Sequence, residues 1–497
     1  MSNYADISRD SYRYDRHFLR VILQQGRALL DADFNEQTSI LIHLLRQLNQ
    51  DVHGAHWGPA GEKFLIVRND DKTLKLTKGL YYVAGIPCVA ETELPPTRRT
   101  DKPHWSKNET KPPYVVYVHV WERHRTPYEA PDPRMGPSGS FDPFVQDPAL
   151  GHLDTTTRGE VTWRIGTIPL DVRVPNQKAL LEAISSDADF IKGHQFIRFE
   201  EVLKGAGFIR DDSPGSDFLP GQLAAGVTGD VLPKDQANNA PPVKTDPCQI
   251  DSGQGYQGLD NQLFHIQVHG LGRKTDKDTP YPTFKWARDN ASTIFPLSSA
   301  VTQKADKSIE VTLLTLGRGT ESELKPGDWV ELINVGDASN GDEDDSDPAP
   351  FPFYSVVSVD RQLYKATLKA TAISVPNSRS PGGSRLFLRR WEQDLHLIDE
   401  EDHWFPLSDG VQVAFKGIKR MRAGDFWQIP ARSLTHDVIW PRDGKVRPYQ
   451  SPKEVLNAYA PLALVEDGKD PKDLRRIFDP DPEEGDGVKR YKPKGAK

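Results

Sequence analysis

At 497 residues, the chain is too long for one ordinary domain, and we expect two to four modules that each bury their own core. Only 37% of its residues are hydrophobic, and it contains 38 glycines and 40 prolines. This composition favours many short strands joined by turns over long helices. The net charge of -8 argues against a nucleic-acid-binding protein, which would normally present a basic face.

The sequence carries no sign of export or membrane insertion. The first residues lack the apolar core of a secretory signal, and no apolar stretch is long enough to cross a bilayer. Cys88 and Cys248 are far apart in sequence and are predicted to be free thiols, as is typical of a reducing compartment. We therefore expect synthesis in the cytoplasm.

The first predicted element is an amphipathic helix over residues 34–50 that ends before Gly54. Asp33, followed three residues later by Glu36, has the pattern of an N-cap with a box-like partner. Apolar residues recur downstream at helical spacing and form one stripe. This stripe is expected to pack on the chain's own sheet or to dock on a partner. Its candidate docking residues are Phe34, Ile40, Leu41, Leu44, Leu45 and Leu48.

Strand patterns follow the helix. Residues 64–76 alternate apolar and polar side chains around Asn69 and predict a hairpin, and residues 81–89 predict a second one that turns at Gly85. The run 114–121 (YVVYVHVW) is aromatic and β-branched throughout, and it predicts a central strand covered on both faces. Further on, strands are predicted at 161–174, 263–268, 283–286 and 309–314, and a short helix at 179–184.

The predicted fold class is mainly β, with several antiparallel β-modules of sandwich or barrel type, an amphipathic N-terminal helix and long loops. The linker and the tail are assigned by their content of glycine, proline and charged residues. The predicted parts are a helical docking segment (1–56), a first β domain (57–204), a loop-rich linker (205–255), a second β region of one or two modules (256–466) and a flexible tail (467–497).

Patterns that would carry enzymatic chemistry are weak. His53 and His56 have a spacing that suits a metal, but Gly54 breaks the helix that such a pair normally needs, and no third ligand follows nearby. Ser138 lies between glycines, but in a proline-rich loop without the strand–turn–helix setting of a hydrolase nucleophile. We predict no catalytic residues, no cofactor and no metal site.

Tryptophans beside charged residues allow two readings. They suit a sugar-binding platform, and they equally suit rings that pack into a sheet edge beneath an arginine. A carbohydrate-binding protein requires these rings to line an exposed groove. An assembly protein requires them to be buried, with an apolar helix face left open. The four residues are Trp121, Trp163, Trp286 and Trp391.

The N-terminal segment resembles a family without an assigned activity, encoded beside phage-tail-like contractile injection systems. Its members look like FDPRKHYxxVLxQQGRVxLDADWNEQ near the start, where this chain has QQGRALLDADFNEQ. A looser form of the pattern occurs in phage tail-fibre and baseplate proteins. The resemblance continues in order through residues 79–89, 116–125, 154–163, 255–267, 283–290, 316–332, 407–440 and 458–465. The motif residues are Gln25, Gly26, Arg27, Asp31, Asp33, Asn35 and Glu36.

This resemblance implies a structural subunit of the particle, at the baseplate periphery or at a fibre attachment, with a cap or adaptor position as the alternative. The implied partners are other subunits of the particle (baseplate, sheath, tube or cap) and further copies of the chain on three-fold or six-fold symmetry. No nucleic acid and no membrane span are expected, and the particle itself is either released or membrane-associated. A carbohydrate-binding appendage for target-surface recognition is the alternative of another class.

Overall fold

Short antiparallel strands dominate the computed structural model. The structure describes residues 10–13, 16–69, 73–93, 104–105, 112–125, 156–169, 221–233, 255–272, 281–298, 301–317, 322–334, 350–371, 386–421, 423–453 and 457–478. Within these ranges one long helix, α1 (Asp31–His53), precedes the strands, and a short 3-10 helix lies at Ile418–Arg420. The predicted mainly β fold with an N-terminal helix is confirmed.

The strands are numbered along the chain. The first thirteen are β1 (His56–Pro59), β2 (Ile66–Arg68), β3 (Leu74–Leu76), β4 (Gly79–Val83), β5 (Ile86–Ala90), β6 (His104–Trp105), β7 (Tyr114–Arg125), β8 (Arg158–Pro169), β9 (Gln222–Val227), β10 (Gln262–Gly272), β11 (Tyr281–Ala287), β12 (Ile294–Pro296) and β13 (Thr302–Gln303). The others are β14 (Ile309–Thr312), β15 (Trp329–Asn334), β16 (Phe353–Asp360), β17 (Lys365–Ala370), β18 (Leu386–Trp391), β19 (His396–Leu397), β20 (Phe405–Pro406), β21 (Val411–Lys416), β22 (Phe426–Arg432), β23 (Asp437–Val438), β24 (Asn457–Val465), β25 (Lys472–Asp473) and β26 (Ile477–Phe478).

The chain divides into two compact units. The first, here called the helix unit, comprises Ser8–Arg123, Gly159–Phe218 and Val455–Lys497. The second, here called the barrel unit, comprises Met1–Ile7, His124–Arg158 and Leu219–Glu454. Each unit has its own apolar core, as expected for a chain of this length.

Two layers of sheet enclose the core of the helix unit. A four-stranded sheet (β26-β1-β4-β5) and the hairpin β2–β3 share one apolar core with a five-stranded sheet (β25-β24-β7-β8-β6). Strand β7 is the middle strand of the larger sheet, and its residues 115–121 are all buried. This confirms the predicted central strand. The core includes Phe64, Leu76, Tyr81, Val116, Val118, Trp163, Leu462 and Val465.

Both predicted hairpins of the helix unit are present. Ile66 pairs with Leu76 across β2 and β3, and Val83 pairs with Ile86 across the tight turn between β4 and β5. The two turn residues Ala84 and Gly85 have φ values of 50° and 74°. A two-residue hairpin with positive φ at both positions matches the right-handed twist of its strands, which fixes the register here.

Six strands of the barrel unit close on themselves. Their order is β12-β18-β15-β16-β17-β14, with β13 added beside β14. Ser298 N donates to Thr312 O and Leu314 N to Pro296 O, each over 2.8 Å, and these bonds join the chain around β12 to that around β14. Closure removes the exposed sheet edges on which strands of other chains could pair. The interior contains Phe295, Val311, Val330, Leu332, Val356, Leu368 and Leu388.

A sandwich completes the barrel unit. The five-stranded sheet β19-β11-β10-β22-β23 and the three-stranded sheet β20-β21-β9 share an aromatic-rich core. Strand β9 lies inside the predicted linker 205–255, yet it pairs along its whole length with β21. Its alanines and flanking glycines weaken the strand pattern in sequence, whereas its partner strand buries Leu223 and Ala225 completely.

The C-terminal boundary also differs from the predicted division. Strand β24 was assigned to the second β region, but it pairs with β7 and belongs to the helix unit. Strands β25 and β26 lie within the predicted tail 467–497. Such pairing over several hundred residues leaves no local trace in sequence. Several sequence predictions lie outside the described residues: the strand end at 170–174, the helix at 179–184, Ser138 with its proline-rich loop, and Cys248.

Candidate functional site

Helix α1 begins earlier than predicted. It starts at Asp31 and follows Leu30, whose backbone N–H donates to the Asp33 carboxylate over 3.3 Å. Asp33 is therefore not the N-cap; it lies in the first turn, where a carboxylate satisfies an unpaired backbone N–H and is favoured by the helix dipole. The predicted end before Gly54 is confirmed, because Gly54 adopts a φ of 99° and its N–H donates to Gln50 O.

A tight turn precedes the helix and explains the first motif residues. Arg27 N donates to Gln24 O over 3.4 Å, with Gln25 and Gly26 between them. Gly26 has a φ of +72°, and no atom lies within 4 Å of where a Cβ would be. The conformation alone therefore favours glycine there, as at the third position of a type II turn.

The motif residue Glu36 and two neighbouring helix residues fasten the preceding segment, residues 10–13 and 16–30 (the arm), to the helix. The Ser11 hydroxyl donates to the Glu36 carboxylate, and the backbone N–H of Val21 donates to Gln37 Oε1 over 2.8 Å. The Ser39 hydroxyl donates to Asp10 over 2.5 Å. The Asp31 carboxylate accepts from Ala32 N in the first turn. The motif residues Glu36 and Asp31 thus contribute to the geometry of the arm and of the helix start.

The face of α1 that contacts the sheets of the helix unit is largely polar. Arg46 pairs with Glu122 over 2.9 Å, and Gln50 Nε2 donates to Ala84 O over 3.2 Å. Asn49 Oδ1 accepts from the Trp57 indole over 2.9 Å. These bonds fix the rotation of the helix about its axis, because turning the helix would break all of them.

The opposite face is apolar and open. Five side chains on it, here called the apolar stripe, are between 51% and 68% exposed. Of the predicted docking residues, Phe34, Leu41, Leu45 and Leu48 belong to the stripe, and Leu44 lies at its edge at 39% exposure. Ile40 is buried and faces inward, so it is not available for docking. The stripe consists of Phe34, Leu41, Leu45, Leu48 and Val52.

Sequence reasoning missed Val52 and the arm. Val52 continues the stripe four residues beyond Leu48, and extending the helical spacing by one more turn would have found it. The arm adds exposed apolar side chains next to the helix, but it has no regular periodicity that could have revealed them. These are Phe18, Leu19, Ile22, Leu23, Leu29 and Leu30.

A group of buried ionisable side chains lies between sheets of the barrel unit. Lys285 Nζ is 2.5 Å from Glu331, the Trp391 indole donates to the same carboxylate over 3.2 Å, and His269 Nδ1 approaches it to 3.5 Å. Burial lowers the pKa of Lys285 to about 8. Burial alone would raise the pKa of Glu331, but Lys285 and His269 outweigh it and hold that pKa at about 2. Both partners are therefore charged at neutral pH.

This ion pair is sealed from solvent. The side chains of Lys285 and Glu331 are 1% and 0% exposed, and His269 is equally covered. Burial lowers the pKa of His269, so this ring is neutral at pH 7. A substrate cannot reach these side chains unless the sheets separate. The group has the arrangement of a buried polar network that fixes how two sheets pack on each other.

The predicted histidine pair has structural contacts. His53 packs between the rings of Trp57 and Phe478, with centroids 4.3 Å away in both cases. His56 Nδ1 lies 2.6 Å from the Tyr81 hydroxyl, and burial together with Arg476 lowers the pKa of His56 to about 4. Among the described residues, no three His, Cys, Asp or Glu side chains converge as metal ligands.

The tryptophans beside charged residues are all covered. Trp121, Trp163, Trp286 and Trp391 are at most 4% exposed. Cys88 is a buried free thiol, as predicted, and burial raises its pKa. No described helix is long and apolar enough to cross a membrane.

Comparison with known protein families gives a match over most of the chain. A family of unknown function (DUF6519) matches residues 4–191 and 220–470. No curated protein and no solved structure matches the chain.

Proposed function

We propose that this chain, which belongs to the family of unknown function DUF6519, is a non-enzymatic structural subunit of a phage-tail-like contractile particle. Within that particle we assign it to the baseplate periphery or to a fibre attachment. The observation that carries the assembly role is the apolar stripe of α1, which is exposed on the side opposite the contacts of α1 with the sheets of the helix unit.

The orientation of α1 supports docking because it reverses the usual arrangement. A helix on a globular protein normally buries its apolar side and exposes its polar side. Here Arg46, Asn49 and Gln50 are committed to contacts with the helix unit, while leucines face outward. Contiguous exposed apolar surface is rare on soluble monomers and marks interaction sites. A partner that covers the stripe would gain apolar burial without disturbing those polar contacts.

The assignment to a contractile particle rests on the resemblance of QQGRALLDADFNEQ and the segments that follow it in order. A cap or adaptor position in the same particle is the alternative, because a docking helix on a β-rich chain suits either place. The location of the chain in particles by electron microscopy distinguishes the two.

The burial of the four tryptophans supports the assembly role over the carbohydrate-binding alternative. A sugar platform needs aromatic faces in a solvent-open groove. Trp121 and Trp163 instead lie within the helix unit, and Trp286 and Trp391 within the barrel unit. No observation in the described residues favours the carbohydrate-binding reading.

The test of the docking role replaces one outward leucine by a charge. The variant Leu45→Glu places a carboxylate in the middle of the apolar stripe, where docking would have to desolvate it. We expect it to be lost from purified particles while its circular dichroism spectrum is unchanged. Gln47→Glu is the matched control, because Gln47 is also exposed on α1 but lies outside the stripe. Incorporation of Leu45→Glu at the level of the control would contradict the docking role.

A further inference from the structure

The apolar stripe has the spacing of a coiled-coil seam. Together with Thr38, which is also exposed, its residues are separated alternately by four and three positions from 34 to 52. In a heptad, Thr38, Leu45 and Val52 occupy a positions, and Phe34, Leu41 and Leu48 occupy d positions. Over this length a helix rises about 28 Å, enough for nearly three heptads.

The remaining heptad positions are used as a coiled coil requires. Positions b, c and f face away from partner helices in such an assembly. In α1 these positions hold the inward residues: Ala32 and Ile40 are buried, Arg46 bonds to Glu122, and Gln50 bonds to Ala84 O. The chain thus packs on its own sheets mainly with the side of the helix that a bundle would leave free, while Asn49 at e and Gln37 at g also bond to Trp57 and Val21 of the same chain.

The flanks of the seam favour an identical partner. Charged residues at e and g normally set the choice of partner and the helix orientation, and like charges there would repel in an identical pair. Here e and g hold Asn35, Gln37, Ile42, Leu44 and Asn49, and only Asp51 is charged. In a parallel in-register pairing, Gln37 would face Ile42 and Leu44 would face Asn49 of the next copy, so like charges never meet. Ile42 and Leu44 widen the apolar surface beyond the a and d positions, which suits more than two helices.

We infer that the occupant of this surface is the same helix of further copies of the chain, in a parallel bundle. This inference rests on the docking role proposed above and names its partner. The bundle would hold the chains in a closed oligomer around the bundle axis, with the sheets of each helix unit on the outer side of its helix.

The first experiment measures the mass of the full-length chain in solution by sedimentation velocity. We expect the wild-type chain and Gln47→Glu to sediment as one oligomer at micromolar concentration, and Leu45→Glu to sediment as a monomer. A monomeric wild-type chain whose Leu45→Glu variant is still lost from particles overturns the self-association and leaves the docking role intact. An oligomer that persists in Leu45→Glu overturns the seam as its interface.

The second experiment reads the helix direction with engineered cysteines. In a parallel bundle, equivalent a positions lie close enough for a disulfide, so Leu45→Cys and Val52→Cys should each form interchain dimers on mild oxidation. Gln47→Cys points outward and should form none beyond the background of the oxidised wild-type chain. Crosslinking of Leu45→Cys and Val52→Cys no higher than that of Gln47→Cys overturns the parallel in-register bundle.

Discussion

At the residue scale, the buried ion pair of Lys285 and Glu331 has a clear consequence for the stability of the barrel unit. Two charges removed from water are costly, and the pair persists because each partner neutralises the other and the Trp391 indole supplies a further hydrogen bond. The attraction outweighs burial for Glu331, whereas burial still lowers the pKa of Lys285. The pair therefore contributes little net stability. Removing one partner is nevertheless costly, because the other charge is then buried without a counter-charge.

We predict that Glu331→Gln lowers the free energy of unfolding of the barrel unit by about 3–5 kcal/mol, because it leaves the Lys285 ammonium buried without a counter-charge. Urea denaturation measures this loss in the free energy of unfolding. The double variant Lys285→Met with Glu331→Gln should recover a large part of the loss, since the orphaned charge is gone. Equal losses in the single and double variants would show that the pairing is not the cause.

The same carboxylate predicts a pH dependence. The pKa of Glu331 is about 2 in the folded chain against an ordinary value of 4.5. A lowered carboxyl pKa contributes stability that is fully present above about pH 4.5 and is lost as the pH falls toward 2. The stability gap between wild type and Glu331→Gln should therefore shrink across this window. Denaturation midpoints of the two proteins at several pH values measure this gap. A gap that stays constant from pH 5 to 3 would contradict the lowered pKa of Glu331.

The orientation of α1, at the element scale, depends on a close backbone approach. A Cβ built on Gly85 would lie 2.8 Å from Arg46 Cα and 2.9 Å from Arg46 O. The turn between β4 and β5 therefore touches the helix backbone, and only a residue without a side chain allows this. The contact, together with Gln50 and Ala84 O, determines which face of the helix is left outward.

We predict that Gly85→Ala displaces α1 and increases hydrogen exchange along it. Positive φ costs an alanine about 1–2 kcal/mol, and the contact with Arg46 adds to that cost. Gly61→Ala is the matched control, because Gly61 has a φ of +88° but nothing within 4 Å of its Cβ position. If both variants lose equal stability and exchange equally in α1, the close approach does not hold the helix.

At the scale of the whole molecule, the chain leaves the helix unit after β8 and returns to it at β24. Strand β24 pairs with β7, more than three hundred residues earlier in sequence, and Leu462 is fully buried in the core of the helix unit. The helix unit therefore needs the C-terminal part of the chain to complete its central sheet. The barrel unit has its own closed sheet and its own core.

We predict that Leu462→Ala destabilises the helix unit by about 2–5 kcal/mol through the cavity it leaves. Hydrogen exchange should increase in β7 more than in β17. Leu368→Ala, at an equally buried position of the barrel, should give the reverse pattern. If Leu462→Ala instead increased hydrogen exchange in β17, the two units would not have separate cores.

The sequence by itself determined the mainly β class, the helix and its C-terminal end at Gly54, the hairpins of β2–β3 and β4–β5, and the central strand β7. These features depend on local periodicity and turn chemistry, which neighbouring residues carry. The apolar stripe was also readable, apart from Val52, because helical spacing alone places its residues on one face.

Only the tertiary structure decided which way that face points. Helical spacing separates Ile40 from Leu44 by only about 40°. Ile40 is nevertheless buried and Leu44 is exposed, because Arg46, Gln50 and the approach of Gly85 fix the rotation of α1. The same holds for β9 and β24, whose partners lie far away in sequence, and for the closure of the barrel between β12 and β14. Long-range pairing sets these features, since its free energy comes from contacts that no local pattern records.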